Sequence, residues 1–200
     1  MNKACSMNAE IERRLKESIA VKEAIAGSMI DGIASLVRLI VAAYSQGGKV
    51  VLFGNGGSAA DAQHIAGELV GRVGLERRAF PAIALTTDTS ILTSLANDYG
   101  YETIFARQIE ALVNEKDVAI GISTSGQSLN VVKGIEAARN KRAKIVGLTG
   151  GSGGKLAELS DLCLVVPSLC TPRIQEAHIT IGHIVCELVE IELSSMGGRE

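Results

Sequence analysis

Between positions 8 and 27 apolar residues recur at helical spacing: Ile11, Leu15, Ile19 (with Ala20), Ala24 and Ile25. That pattern predicts a helix. A second helical stretch covers about 29–46, and Gln46-Gly47-Gly48 is its stop signal. The texture then changes. Short β-branched runs recur as KVVLFG (49–54), FPAIALT (80–86), DVAIGIS (117–123), KIVGLT (144–149) and LCLVVP (162–167). None alternates cleanly between apolar and polar, as expected of parallel strands covered on both faces. Helical segments separate them at about 58–73, 88–112, 128–142 and 152–160, and a closing helix spans about 172–195 behind Thr171 as N-cap and Pro172 at its first position. Strand–helix alternation of this kind gives an α/β protein with a doubly wound, five-stranded parallel sheet flanked by helices, plus extra helices at both ends.

The end helices are surplus to the sheet. Five parallel strands need four crossovers, which leaves roughly 45 N-terminal residues whose apolar faces require cover. The chain is 46% hydrophobic with a mean hydropathy of +0.24. For a sequence this apolar, packing between subunits is the expected destination of those faces. We expect one domain over 1–200: N-terminal helices at subunit interfaces (1–47), an α/β core (48–170) and a C-terminal helix (171–200). Its 200 residues predict about 9,000 Å² of folded surface, with about 70% of the unfolded chain's surface buried.

Charge and composition exclude several function classes. Lys and Arg total 20 against 22 Asp and Glu, so no basic field exists to hold nucleic acid or an anionic membrane. Aromatic residues are 3% with no Trp, which disfavours base stacking. Cys5, Cys163, Cys170 and Cys186 form no C-x-x-C pair and read as reduced packing residues. The polar N-terminus lacks the apolar core of a secretory signal, and the window Ile33 to Tyr44 is broken by Arg38 and too short for a bilayer. A soluble cytoplasmic protein is expected.

In an open parallel sheet, ligands bind beyond the carboxyl ends of the strands. Three features fall there. The first is the loop Gly54-Asn55-Gly56-Gly57-Ser58-Ala59-Ala60-Asp61. Its Gly-x-Gly-x-x-Ala superficially fits a dinucleotide fingerprint, but the acidic residue expected about 20 positions on is missing, and no P-loop lysine follows. The NAD and ATP readings are rejected. The second is Ser123-Thr124-Ser125-Gly126-Gln127-Ser128, where four hydroxyls and a glycine meet a helix N-terminus. One hydroxyl would suffice to cap the helix, whereas four point to a phosphate held by neutral donors and the helix dipole. The third is a set of polar groups on helices. His64 and Glu68 share a face. Gln175 and His183 lie about 80° apart on the closing helix, while His178 lies about 140° from His183 and points elsewhere. Two histidines, a carboxylate and an amide suit a divalent metal or acid–base work. Spacing alone fits equally a solvated His64–Glu68 pair and a core His183. Asn97-Asp98 ends a helical stretch, where it suits either sugar hydroxyls or an ordinary turn.

The segments GNGGSAADAQHIAGELVGR (54–72), ALTTDTSILTSLANDYGYE (84–102), STSGQSLNVV (123–132) and RIQEAHITIGHIVCELVE (173–190) resemble the sugar isomerase (SIS) fold, a flavodoxin-like architecture, and within it the phosphoheptose isomerases. With the flanking strands, the resemblance covers nearly the whole chain. It implies conversion of sedoheptulose 7-phosphate to D-glycero-D-manno-heptose 7-phosphate, the first step toward the ADP-heptose of the lipopolysaccharide core. It also implies a homotetramer with sites at subunit interfaces and one zinc ion per subunit. Carried over by position, the zinc ligands are His64, Glu68, Gln175 and His183, with Glu68 and His183 the acid–base pair. Substrate contacts are Asn55, Gly56, Gly57, Glu68, Asn97, Asp98, Ser123, Thr124, Ser125, Ser128 and Gln175. One departure is visible, since Gln127 and Leu129 stand where the family loop usually has Asn and Pro. The alternative is a non-catalytic SIS adaptor of the replication-initiator-associating type. Such proteins keep the glycine and serine loops but lack counterparts of Glu68 and His183, both of which this chain has.

Overall fold

The computed structural model describes residues 6–197, so Cys5 lies outside the described residues. Its elements run α1 (Met7–Ser28), α2 (Ile30–Ser45), β1 (Val50–Gly54), α3 (Gly57–Val70), β2 (Ala82–Ala84), α4 (Thr89–Tyr99), α5 (Ile104–Leu112), β3 (Val118–Ile122), α6 (Leu129–Asn140), β4 (Lys144–Gly150), α7 (Gly154–Leu159), β5 (Leu162–Val166) and α8 (Thr171–Gly197). All five strands pair in parallel in the order β2-β1-β3-β4-β5. The sheet is the expected one. From β1 the chain winds first to one side and then, through β3, to the other. The crevice between the carboxyl ends of β1 and β3 is therefore the switch point where such folds take ligands.

Strand alternation divides the core into two layers. Val50 and Leu52 face the layer built by α2, α3 and α8, whereas Val51 and Phe53 face α5, α6 and α7. Those strand residues, like Val118 and Ala119 beside them, have no exposed surface. Burial on both faces explains why the sequence showed no clean polar alternation.

Two elements depart from their predicted extents. The helix expected over 88–112 breaks at Gly100, whose φ of +93° ends α4; a 3-10 turn at Tyr101–Thr103 then leads into α5. An L side chain is strained in that left-handed region, so glycine marks the break. The strand expected over 80–86 shortens to Ala82–Ala84 because it lies at the sheet edge with β1 as its partner. Among the described residues no single helix is long and apolar enough to cross a membrane; α1 and α2 are so only as a pair bent by 73°.

Candidate active site at the switch point

α3, which leaves the carboxyl end of β1, packs along α8. Gly182 permits the approach, since a Cβ there would meet the Ile65 side chain at 2.8 Å. Beside that contact His64 of α3 and His183 of α8 come together, with 2.8 Å between their Nε2 atoms and the rings edge to face at 72°. Glu68, one turn along α3, places Oε1 3.2 Å from the same His64 Nε2. One donor atom from each of the three residues falls within 4.8 Å of the others. His64 is exposed and the other two are half-buried, so ligands can enter. Neither the solvated-pair nor the core-histidine reading describes this arrangement. Two Nε2 lone pairs facing each other at this distance need a proton or a cation between them. Two imidazoles and a carboxylate are a donor set that suits a divalent metal such as zinc.

Gln175 sits elsewhere along the same helix pair. Its amide packs against Gly57, at the first turn of α3 and two turns before His64; a Cβ on Gly57 would lie 2.5 Å from Gln175 Nε2. The glycine thus makes room for the amide at the rim of the first loop. His178 is fully buried on the opposite side of α8, where Nε2 bonds Thr149 O at 3.1 Å. The wheel angle had separated it correctly from His183.

The hydroxyl loop closes the other side of the crevice. Ser123 Oγ donates to Ser128 Oγ at 3.0 Å, and Ser125 Oγ accepts from the Gln127 amide. Ser128 occupies the N-cap of α6 without a side-chain hydrogen bond to its amides, so capping does not account for the hydroxyls. The loop is held by its backbone: Gly126 N–H donates to Ser123 O, Gly150 N–H to Thr124 O and Leu156 N–H to Gly126 O. This lattice supplies the rigidity that proline would otherwise give, and Leu129 is simply exposed. Asn97 and Asp98 lie on the last turn of α4, exposed and hydrogen-bonded to each other.

Sequence reasoning missed five supporting groups. Asn130 pairs with Asn55 across the crevice, and Tyr101 donates to Asn55 Oδ1 at 2.9 Å. Asp61, one turn before His64, has a buried Oδ2 without a hydrogen-bond partner, and burial pushes its carboxyl up to about 6 against the pull of His64. Arg77 donates from Nη2 to Glu68 O and from Nη1 to Leu69 O, tying down the turn that carries Glu68. Glu190 of α8 holds Arg77 Nε and accepts the backbone N–H groups of Val73, Gly74 and Leu75. Burial acts to raise the Glu190 carboxyl, but those donors outweigh it and hold it at about 2. The signal for Asn130 was available, since it is a polar residue on the buried side of an apolar stretch, Leu129-Asn130-Val131-Val132.

A family model described as the SIS domain matches residues 15–150. The phosphoheptose isomerase of Aquifex aeolicus is 55% identical over 184 residues, covering 92% of this chain and 96% of the relative. That of Citrifermentans bemidjiense is 53% identical over 191 residues, covering 96% and 100%. Among solved structures, a phosphoheptose isomerase from Neisseria gonorrhoeae superposes with a TM-score of 0.88 at 38% identity, covering 92% of this chain and 99% of that one. A second, from Francisella tularensis, superposes at 0.89 and 38%, covering 92% and 98%.

Proposed function

The chain belongs to the SIS-domain family and, within it, to the phosphoheptose isomerases, and from that premise we propose that it converts sedoheptulose 7-phosphate to D-glycero-D-manno-heptose 7-phosphate. The observation that carries this reading is the meeting of a carboxylate and an imidazole from two helices, Glu68 and His183, in a chain whose switch-point loops carry the hydroxyls and glycines suited to a phosphate. Ketose-to-aldose conversion removes a proton from C1 and delivers one to C2 through a cis-enediol, while a second proton moves between the two oxygens. Glu68 is the base that takes the C1 proton and returns it at C2. His183 gives a proton to the carbonyl oxygen as the enediol forms and recovers one from the neighbouring hydroxyl. His64 orients His183 through their Nε2 contact. Ser123, Thr124, Ser125 and Ser128 hold the phosphate with the amides of α6, so that binding energy at the far end positions the reacting carbons. Asn55, Gly56, Gly57, Asn97, Asp98 and Gln175 complete the substrate contacts.

His64, Glu68 and His183 would hold zinc, one ion per subunit, whereas Gln175, packed against Gly57 two turns away, lies outside that donor set within one chain. When bound, the ion would polarise the substrate carbonyl. A carboxylate on a cation is a weaker base, so the role of Glu68 rests on its place beside His183 rather than on the metal. The assembly we propose is a cytoplasmic homotetramer. Its support is the apolar surface left on this chain: Ile11, Leu15 and Ile19 on α1 are half-exposed or more, and Ile30, Ile33, Ile184 and Leu188 line an apolar groove between α1, α2 and α8.

The deciding experiment follows product formation from sedoheptulose 7-phosphate with and without a chelator and added zinc. Turnover lost to the chelator and restored by zinc supports the isomerase and its metal together. Turnover indifferent to chelation keeps the isomerase and removes the metal. Bound sugar phosphate without turnover in either condition sinks the isomerase reading and leaves a non-catalytic binder.

A further inference from the structure

We propose that Asn130 is a positioning residue, which locks the Asn55 amide so that a single N–H is left to meet an oxygen of the sugar phosphate; this rests on the isomerase reading of the same site. Asn55 follows β1 and Asn130 is the second residue of α6, so their side chains span the crevice between the two substrate loops. The amides pair reciprocally. Asn55 Nδ2 donates to Asn130 Oδ1 at 2.8 Å, and Asn130 Nδ2 donates to Asn55 Oδ1 at 2.8 Å.

The direction of both amides follows from one group that can only donate, a backbone N–H. The Val131 backbone N–H donates to Asn130 Oδ1 at 3.0 Å, which fixes the oxygen of Asn130 on that side and turns its nitrogen toward Asn55. Asn55 must then answer with its oxygen. Tyr101 O–H donates to that same oxygen, filling its second lone pair. Asn55 has two acceptor sites and two N–H groups. Both acceptor sites and one N–H are occupied, so one N–H remains. Asn130 itself is 3% exposed and does not need to touch the substrate. It acts through Asn55, and it also holds the glycine loop at a set distance from Ser128, two residues before it on the phosphate side.

A double-mutant cycle tests this, with KM and kcat measured on sedoheptulose 7-phosphate and folding checked by thermal melting. Asn130→Ala frees the Asn55 amide to rotate and should raise KM about tenfold, the worth of one hydrogen bond to a charged or polar oxygen, while kcat falls less than about threefold. In an Asn55→Ala background the same change should leave KM where Asn55→Ala put it. KM within twofold of the parent for Asn130→Ala overturns the proposal. So does a KM effect that multiplies with that of Asn55→Ala, which is what a merely structural role produces. Should Asn130→Ala fail to fold, Tyr101→Phe decides, because Tyr101 is 58% exposed and loses one hydroxyl. A rise in KM of about threefold that vanishes in the Asn55→Ala background supports the lock, and an unchanged KM overturns it. If the parent protein does not turn over the sugar phosphate, the isomerase reading fails separately. The cycle is then read on the Kd for sedoheptulose 7-phosphate by calorimetry, with the same two outcomes.

Discussion

Glu68 and His183 are brought together from positions far apart in the chain, and each is held by something other than the substrate. Arg77 bonds the backbone carbonyl of Glu68, and His64 bonds the ring of His183. Replacing the carboxylate by an amide keeps the shape and removes the base. Glu68→Gln should therefore retain sugar-phosphate binding by calorimetry while kcat falls by about 10²–10⁴-fold, and near-normal kcat would take Glu68 out of that role. The same holds for His183→Gln as the acid. A different histidine sets the response of the fold to acid. Burial lowers His178 from 6.5 to about 4, with its bond to Thr149 O acting the other way. The unfolded chain takes up a proton near 6.5 that the folded chain refuses until about 4. The contribution of neutral His178 is thus fully present above 6.5 and is lost as pH falls through that window, with a slope approaching about 1.4 kcal/mol per pH unit. Denaturant melts from pH 7 to 4 should show this slope, and His178→Gln should flatten it. At this scale the sequence showed which residue types could do chemistry and which faces they shared. It did not show the Asn55–Asn130 pair, because the orientation of an amide is set by partners that only the fold supplies.

Elements place these side chains, and their ends are where the structure is least tolerant. Gly126 turns the hydroxyl loop with φ +65°, and a Cβ there would lie 2.0 Å from Gly153 O. Gly126→Ala should displace the Ser123–Ser128 loop, raising KM for the sugar phosphate more than it lowers kcat. A variant with an unchanged KM would show that the loop does not hold the phosphate. At the far end of α3, Arg77 and Glu190 are both almost fully buried and form a salt bridge at 3.0 Å. Glu190→Gln leaves the Arg77 charge without its counterpart and should cost about 3–5 kcal/mol by denaturant melting. Because the Glu190 carboxyl is depressed from 4.5 to about 2, its contribution is full above 4.5 and is lost only as pH falls from there toward 2. The acid windows of His178 and Glu190 are therefore successive. Element types and order were legible from apolar spacing, stop signals and caps, all of which are local. The break of the 88–112 helix at Gly100 was not, since an isolated glycine inside a helical pattern is tolerated as often as it terminates one.

The whole chain exposes 10469 Å², more than the about 9,000 Å² expected for its mass. α1 contributes Ile25 alone to the buried core, while Met7, Ile11, Leu15 and Ile19 remain open. The groove between α1, α2 and α8 continues that apolar surface through Ile184 and Leu188. A charge placed there should disfavour subunit packing without disturbing the core. Leu188→Glu, at a residue 39% exposed, should shift sedimentation from tetramer toward smaller species and leave the far-UV spectrum unchanged. A variant that sediments like the parent would remove this face from the proposed interface.

The sequence by itself determined the parallel α/β sheet, the two loops at its carboxyl edge and the residue types that bear the chemistry. These follow from periodicity, β-branched runs and glycine or hydroxyl clusters read within a few positions of one another. The tertiary structure alone decided that His64 meets His183, that Gln175 lies against Gly57 rather than beside that pair, and that Asn130 and Tyr101 fix Asn55. A helical wheel gives the angle at which a side chain leaves its own axis. The distance to a neighbour comes from how closely two helices pack, and here Gly182 against Ile65 sets it.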